Sequence, residues 1–295
     1  MNLCFVILHY QNMTDTINCV DSILKLNLKK DMKLNIVLVD NKSPNNSGLD
    51  LKNKYEKKSN IDVLLLDKNY GFSKANNIGY EKALKYNPDL IFMSNNDILI
   101  KDKDFFTKIV NLYNDVGKDY FIICPNIINA NGCSQNPLRK EFISLKKAYK
   151  NYIYKKMLYF LLNVPYLNKK VYKFEIERTS EWMKNYYSKE KEIYEDFFVP
   201  FGAFIIYTKK WVKAEKISFP SDTFMYAEED FLSLYCLKNK YNLLYCPDIV
   251  VHHLEGQSVK KSNNNEINAM RFKIKNESLA LKKYIKFYKK MNGCD

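Results

Sequence analysis

Short apolar runs alternate with helical patterns through the first hundred residues, and this alternation constrains the fold more than any other feature. The runs, at 3–8, 35–40, 63–66 and 90–93, are bounded by polar or turn-forming residues, as is typical of buried parallel strands. The helix-like segments between them lie at 14–26, 49–58 and 73–84. Strands linked by helical crossovers predict an α/β fold with a Rossmann-like, mostly parallel central sheet and flanking helices.

The last of these runs leads into Ser94, Asn95, Asn96 and Asp97. Open α/β sheets bind ligands at the carboxyl ends of their strands. Asn95 and Asp97 are two residues apart, so on an extended chain their side chains point the same way. An amide and a carboxylate there suit a divalent cation bridging a diphosphate, because hard cations share oxygen ligands with substrate phosphates. The alternative is that these residues only cap the following turn.

Polar residues follow the other predicted strands as well. They are His9, Tyr10, Asn12, Asp40, Asn41, Asn69 and Gly71. Tyr10 can stack on a base, and Asp40 can accept a hydrogen bond from a pyrimidine ring N–H. Each residue alone is typical of a turn, but on the same edge as Asp97 they predict a nucleotide pocket. None of the eight glycines forms a G-x-G-x-x-G or P-loop motif, so phosphate binding would depend on a cation or side chains.

The net charge of +14 is concentrated in two segments. Residues 138–174 hold ten Lys and Arg against one acid, and residues 260–290 hold ten against two acids. Nine aromatic residues interleave with the basic residues of the first segment, a composition also found in single-strand nucleic-acid binders. The apolar patch at 158–162 instead favours an anionic membrane surface. A solvated helical hairpin is the third interpretation.

Cysteine usage and the chain's start bear on location. The seven cysteines are odd in number and never spaced as C-x-x-C, which favours a reducing compartment. Met1 is followed at once by an apolar strand pattern, so we expect no signal peptide, and no apolar run approaches the roughly 18–20 residues of a bilayer span. We expect a cytoplasmic protein, with peripheral contact at the inner face of the plasma membrane as the alternative.

A second group of candidate residues lies in the last third of the chain. Gly202 precedes an apolar strand and would let backbone approach a ligand closely. The acids at 228–230 open a predicted helix; they either complement its dipole or repel one another and raise a pKa into general-base range. His252 and His253 close a strand and could ligate a manganese-like ion.

Four segments together resemble the nucleotide-binding half of the inverting, family-two glycosyltransferases with the GT-A fold: VILHYQN, VLVDNKSPNNS, KNYGFSKANNIGYEKAL and IFMSNND. Bacterial rhamnosyltransferases and galactofuranosyltransferases are the most similar branch. The resemblance implies that Asp40 contacts the base and that Asn95 with Asp97 holds a divalent metal. It also places Gly71, Asn76 and Asn77 against the ribose and diphosphate. The family often has Asp where this chain has Asn95, which implies a weaker metal site.

Residues 219–258 resemble the second half of the same family. The resemblance implies that the catalytic base lies among the acids, with Glu229 preferred over Glu228 and then Asp230. The H-H-x-x-G-x-S segment implies a further metal ligand, and His253 fits better than His252. The expected cofactor is Mn²⁺ or Mg²⁺. The expected donor is deoxythymidine diphosphate rhamnose, with a uridine diphosphate sugar as the alternative, and the expected acceptor is a lipid-linked or protein-linked surface glycan.

These interpretations divide the chain into four parts. Residues 1–130 form the nucleotide-sugar half, 131–197 a basic helical insertion, 198–258 the acceptor and catalytic half, and 259–295 a basic C-terminal helical tail.

Three alternative functions remain. The first is a sugar-nucleotide pyrophosphorylase, but this chain lacks the Gly-rich loop that such an enzyme would need. The second is a nucleic-acid-binding protein, which we do not expect, and the third is a non-catalytic GT-A-like relative.

Overall fold

A computed structural model describes residues 1–187, 195–255 and 266–293. Its strands are β1 (Asn2–His9), β2 (Lys33–Asp40), β3 (Ile61–Leu65), β4 (Leu90–Asn95), β5 (Ile98–Leu99), β6 (Ile122–Asn129), β7 (Glu195–Asp196), β8 (Phe204–Thr208) and β9 (Leu243–His253). Its helices are α1 (Met13–Leu24), α2 (Ser47–Tyr55), α3 (Phe72–Leu84), α4 (Phe105–Asp115), α5 (Leu145–Leu162), α6 (Asn168–Tyr187), α7 (Lys209–Ala214), α8 (Glu228–Asn239) and α9 (Glu266–Met291).

The strands form one curled sheet in the order β3-β2-β1-β4-β8-β6-β9-β5, with β7 paired to β9. β3, β2, β1 and β4 run parallel, as the helical crossovers predict, and β8 is antiparallel to both β4 and β6. Only two residues separate β4 from β5, yet β5 pairs with the end of β9. The sheet therefore curls until the end of β9 lies beside the end of β4.

Both faces of the sheet are buried, which explains the continuous apolar runs of its central strands. On one face Phe5 stacks on Phe92 with ring centroids 4.4 Å apart, among other aromatic rings. On the other face α3 and α7 cover the strands, and Tyr80 packs edge-on against Tyr207. The predicted α/β class with a mostly parallel central sheet is confirmed.

Pro125 is where one strand expectation is wrong. A proline there predicts an edge strand or a strand end, but β6 continues to Asn129 between β8 and β9. The pairing of β6 with β9 shifts register between Pro125 and Asn126. Since β6 pairs with β8 only at Ile122 and Ile123, an irregularity of the ladder accommodates the proline within an inner strand.

The basic insertion contains a helical pair, α5 and α6, against which α9 packs. Leu158 and Leu162 of α5 are buried with Ile274 of α9, while Phe231 of α8 packs against Tyr284 of α9. The apolar patch at 158–162 is therefore only partly on the surface. No helix of the described residues is both long and apolar enough to cross a bilayer.

Candidate functional site

Asp97 and His253 are brought together by the curl of the sheet. Asp97 lies in the turn between β4 and β5, where its carbonyl accepts a hydrogen bond from the Leu254 N–H (3.0 Å). Ile98 pairs with His253 across β5 and β9, and His253 Nε2 lies 3.3 Å from Asp97 Oδ1. Both residues are buried. A carboxylate and an imidazole distant in sequence thus face each other at one strand end.

The spacing of this pair suits a small divalent cation. Metal–ligand distances of about 2.0–2.2 Å place neighbouring ligand atoms about 3 Å apart. Within the described ranges, no cluster of three or more His, Cys, Asp or Glu side chains could hold a metal. The protein would therefore supply Asp97 and His253, and diphosphate and water would complete the shell, as is usual for Mg²⁺ and similar ions.

His252 is unlike its neighbour. It pairs with Leu99 on β5 and is adjacent to His253 along β9, so the two imidazoles point to opposite faces. Its alternative placement as a metal ligand beside Asp97 is therefore not supported. Asn95 closes β4 half-buried, with its N–H donating to the Ala203 carbonyl (2.9 Å). Gly256 and Ser258 of the histidine motif lie outside the described residues.

A buried polar network connects the ends of β4, β1 and β2. Asn96 donates through Nδ2 to Thr16 Oγ1 (2.9 Å), which lies 2.6 Å from His9 Nδ1. His9 Nε2 lies 2.8 Å from Ser47 Oγ. Burial lowers the pKa of His9 to about 4, against the opposing effect of Asp40. His9 and Asn96, predicted to contact the ligand, instead have structural contacts, with the His9 imidazole neutral and fully buried.

The ends of β1 and β2 lie side by side. Asp40 accepts hydrogen bonds from the Ser43 N–H (3.1 Å) and hydroxyl (2.5 Å), and its carboxylate lies against Gly48 of α2, where a Cβ would overlap it. Asn12 accepts from the Asp15 N–H as the N-cap of α1. Tyr10, directly after β1, is half-buried. Asp40 and Asn12 thus stabilise local turns, as each residue taken alone predicts. These turns lie on the edge of the sheet where we expect the nucleotide.

Asn41 organises the loop before α3. Its Nδ2 donates to Asn69 Oδ1 (3.0 Å) and to the Gly71 carbonyl (3.1 Å), and its Oδ1 accepts from the Tyr70 N–H (2.8 Å). Gly71 has φ +80°, and a Cβ there would overlap the Phe224 carbonyl. Only glycine satisfies both conditions, so the loop is held against the segment that leads into α8.

Asn76 and Asn77, predicted beside the ribose and diphosphate, are tied to protein groups. Asn76 donates to the Phe72 carbonyl within α3 (3.1 Å) and is buried. Asn77 Oδ1 accepts from the Ser218 N–H, the Ser218 hydroxyl and the Phe219 N–H, and its Nδ2 donates to the Phe219 carbonyl. The carboxamide of Asn77 joins α3 to residues 218–219 through these four hydrogen bonds. Its prediction as a ligand contact is therefore not supported by its side chain.

The three acids at the start of α8 have different surroundings. Glu228 is buried and accepts from Thr223 Oγ1 (3.2 Å). Asp230 is buried in an ion pair with Arg139 and also accepts from the Ile143 N–H (3.3 Å). Glu229 is half-buried, and its Oε1 accepts a long hydrogen bond from the Gly202 N–H (3.3 Å). Of the three, Glu229 is the acid least occupied by protein partners.

Burial raises the pKa of Glu228, with the charge of Glu229 adding to the rise. Burial likewise raises the pKa of Glu229, with Asp230 adding to it and Arg139 opposing it. A carboxyl whose pKa is raised toward neutrality can exchange a proton near physiological pH. The mutual repulsion anticipated from the sequence contributes, but desolvation is the larger cause for both groups.

Residues 201–203 join the two halves of the site. The Phe201 ring centroid lies 5.8 Å from that of His253, and a Cβ at Gly202 would lie 2.8 Å from Glu229 Oε1. The Ala203 carbonyl accepts from Asn95. The Asp97–His253 pair and Glu229 therefore flank adjacent residues of one segment. Glycine at position 202 leaves room for the carboxylate of Glu229. The sequence instead predicted that Gly202 would let the backbone approach a ligand.

Sequence reasoning missed several residues that hold this site. Gln135 Oε1 lies 2.8 Å from His253 Nδ1, Arg139 neutralises Asp230, and Asn136 accepts from the Phe201 N–H (3.0 Å). All three follow residues 131–134, Asn-Gly-Cys-Ser, a composition that predicts a turn. The turn itself was visible in the sequence, but its proximity to β9 and α8 was not.

A family model described as Glycosyl transferase family 2 matches residues 4–214. The chain belongs to glycosyl transferase family 2. The match runs from β1 to α7 and includes the ends of β1, β2 and β4, Asp97 and Gly202. The acids of α8 and the histidines of β9 lie beyond it. No curated protein matches this family 2 chain.

Solved structures resemble the family 2 chain in fold. TarS 1-349 of S. aureus is 15% identical with a TM-score of 0.53, the match covering 98% of this chain and 73% of that one. Its complex with UDP-GlcNAc is 14% identical with a TM-score of 0.54, covering 91% and 61%. The mannosyltransferase PcManGT of Pyrobaculum calidifontis, in complex with GDP-Man and Mn²⁺, is 12% identical with a TM-score of 0.51, covering 99% and 73%.

These similarities are of fold. The chain spans 43% of a longer TarS structure, so TarS contains much that has no counterpart here. The shared architecture agrees with the GT-A class expected from the strand-end motifs.

Proposed function

We propose that this family 2 chain moves a sugar from a nucleotide diphosphate sugar to an acceptor hydroxyl with inversion at the anomeric carbon. The observation that supports this most is that the Asp97–His253 pair and the Glu229 carboxylate flank adjacent residues, Phe201 and Gly202. An in-line displacement needs a leaving-group site and a proton acceptor on either side of the reacting carbon, and these two groups lie on either side of one short segment.

In this proposal the nucleotide lies over the ends of β1, β2 and β4, near Tyr10, Asp40 and Asn95. Two fold neighbours were solved in complex with such ligands, UDP-GlcNAc in one and GDP-Man with Mn²⁺ in the other. Asp97 and His253 would hold a divalent cation, with Asn95 as a candidate further oxygen ligand. Such a cation, when bound, stabilises the negative charge of the departing diphosphate.

Glu229 acts as the general base. Its carboxylate takes the proton from the acceptor hydroxyl while that oxygen forms a bond to the anomeric carbon, and the bond from this carbon to the diphosphate oxygen breaks, with the electron pair leaving on the diphosphate. The raised pKa of Glu229 makes it a stronger base than an exposed carboxylate. Asp230 is committed to Arg139, which leaves Glu228 as the alternative base.

We favour a rhamnosyl donor, because the histidine motif of the sequence resembles that of rhamnosyltransferases; a uridine diphosphate sugar is the alternative. The acceptor in this proposal is a surface glycan, lipid-linked or protein-linked. His253 supplies an imidazole nitrogen, which Mn²⁺ accepts more readily than Mg²⁺, so we favour Mn²⁺.

A donor panel tests the proposal. The full chain is incubated with Mn²⁺ and, in turn, dTDP-rhamnose, UDP-GlcNAc and GDP-mannose, and thermal stabilisation and release of nucleoside diphosphate are measured. We expect one donor to raise the melting temperature, since ligands that bind only the folded state stabilise it, and to be slowly consumed. The Asp97→Asn variant is the matched control and should show neither effect. Failure of every donor to stabilise the wild type would overturn the proposal.

We also propose that α5 contacts an anionic membrane surface. Tyr149, Ile153, Met157 and Phe160 are exposed and recur every three to four residues on one side of α5. Exposed lysines accompany them at 146, 147, 150 and 156. Each basic residue near an anionic surface contributes about 1 kcal/mol of attraction, and the apolar side chains would enter the interface. A nucleic-acid groove offers no role for this apolar stripe.

A further inference from the structure

Gln135 reaches His253 through a turn that follows β6. Asn129, the last residue of β6, pairs with His253 of β9. The Asn129 Oδ1 accepts from the N–H groups of Asn131 (3.0 Å) and Cys133 (2.9 Å), which closes the turn. The Gln135 N–H then donates to the Ile127 carbonyl (2.8 Å), so the chain returns along β6. This local structure places the buried Gln135 side chain beside the imidazole.

Hydrogen bonds fix which way the Gln135 carboxamide faces. Its Nε2 donates to Glu255 Oε1 (2.8 Å), which also accepts from Asn129 Nδ2 (3.2 Å). A carboxylate only accepts hydrogen bonds, so the NH₂ group of Gln135 must face Glu255. The carboxamide oxygen then faces His253 Nδ1 at 2.8 Å. Because an amide oxygen only accepts, Nδ1 of His253 must carry a hydrogen.

This hydrogen determines what His253 presents to Asp97. A neutral imidazole has one N–H, so a hydrogen on Nδ1 leaves a lone pair on Nε2. That lone pair lies 3.3 Å from Asp97 Oδ1. Two electron-rich atoms facing each other in a buried place repel unless positive charge lies between them. In this tautomer Nε2 can ligate a cation, but it has no hydrogen to donate to Asp97.

We propose that Gln135, held in orientation by Glu255 and Asn129, is a positioning residue that fixes the tautomer of His253 and so prepares Nε2 to ligate a divalent cation with Asp97. The proposal rests on the metal site of the proposed function, and adds a chain of contacts, His253–Gln135–Glu255, outside the ligands themselves. Loss of such an outer partner typically lowers metal affinity 10–100-fold.

Two measurements on the full chain test it. In the metal-free protein, ¹⁵N-histidine NMR at alkaline pH reports the tautomer of each imidazole; the chain has only three histidines, and His253→Asn assigns the signal. We expect the Nδ1–H tautomer in the wild type and a mixture, or the Nε2–H tautomer, in Gln135→Met. In calorimetric titration with Mn²⁺ alone, Gln135→Met should bind 10–100-fold more weakly than the wild type.

Controls separate this proposal from the one beneath it. Asn131→Ala changes an exposed side chain of the same turn and should leave both the tautomer and the affinity unchanged. Asp97→Asn should weaken Mn²⁺ binding without altering the tautomer. Wild-type affinity in Gln135→Met, or an Nε2–H tautomer in the wild type, would overturn the positioning role alone. If the wild type bound no Mn²⁺, the metal site would be wrong, and with it the purpose assigned to Gln135.

Discussion

At the scale of single residues, the site depends on neighbouring acids having unequal surroundings. Asp230 is compensated by Arg139, Glu228 is enclosed with Thr223, and Glu229 has the long contact to Gly202. Neighbouring carboxyl groups repel one another when all are ionised. Because the ion pair with Arg139 neutralises Asp230, Glu228 and Glu229 are left to compete for a proton. Glu229 is thereby suited to accept a proton, while Glu228 holds one more readily than an ordinary glutamate.

Glu228→Gln tests this view of the acids through stability. Burial raises the pKa of Glu228 from 4.5 to about 8 in the folded chain, so between these values the folded state binds more protons than the unfolded state. Wild-type stability should therefore fall as pH rises through this window, with a slope of up to about 1.4 kcal/mol per pH unit relative to the variant. Urea unfolding at several pH values measures it. Parallel pH profiles for the two proteins would contradict a buried, raised Glu228.

At the scale of elements, the site depends on α3 being fixed to the segment before α8. Asn77 of α3 binds Ser218 and Phe219 through four hydrogen bonds, and the Phe72 N–H donates to the Phe224 carbonyl (2.6 Å). Gly71 permits the close approach. These contacts hold the start of α8, and hence Glu229, relative to the nucleotide edge of the sheet.

Asn77→Ala should therefore destabilise the chain by about 2–3 kcal/mol, because backbone N–H groups at residues 218 and 219 lose their partner. Chemical denaturation measures the change. The exposed Lys74→Ala substitution on the same helix is the control and should stay within about 0.5 kcal/mol of the wild type. Equal stability of the two variants would show that the Asn77 contacts do not hold the segment.

The elements that the sequence predicts well are those defined by their own residues. The runs at 3–8 and 35–40 became β1 and β2, since a continuous apolar run needs burial on both faces. The acids at 228–230 do begin a helix. Pro125 misled because an irregularity in the pairing with β9, which no local pattern shows, lets an inner strand hold it.

The candidate site was predictable only where its residues form local sequence patterns. Strand-end residues and the histidine motif can be recognised locally, so Asp97 and His253 could both be predicted as site residues, and the structure places them side by side. Gln135, the partner of His253, and Arg139, the partner of Asp230, depend on how a turn at 129–133 lies against β9 and α8. Asn77 was assigned to the ligand because an asparagine in a resembling motif does not reveal that its carboxamide is already used by the backbone.

At the scale of the whole molecule, the candidate active site and the basic helices are far apart in sequence but are connected through helix packing. α9 packs on both α5 and α8, and Phe231 of α8 follows the acids directly. Lys155 of α5 also pairs with Glu277 of α9 (2.6 Å). The proposed membrane-facing helix is thus attached to the helix that carries Glu229, so a surface acceptor and the base would lie on one connected body.

Vesicle flotation tests this placement. The wild type should float with vesicles containing anionic lipid and less with neutral vesicles, and added salt should weaken the association because surface charges are screened. A variant with Ile153→Ser and Phe160→Ser should lose most of the flotation. Leu279→Ser, an exposed apolar residue of α9, is the matched control. Equal flotation of wild type and double variant would contradict the role of α5.

The most direct measurement is sugar transfer by Asp97→Asn and Glu229→Gln, with Mn²⁺ and donor binding measured on the same proteins. If Asp97 holds the cation that stabilises the leaving diphosphate and Glu229 deprotonates the acceptor hydroxyl, Asp97→Asn should lose both Mn²⁺-dependent donor binding and turnover. Glu229→Gln binds Mn²⁺ and donor as the wild type does, and loses at least about 10²-fold in turnover. Near-normal transfer by either folded variant would contradict the assignment of its residue.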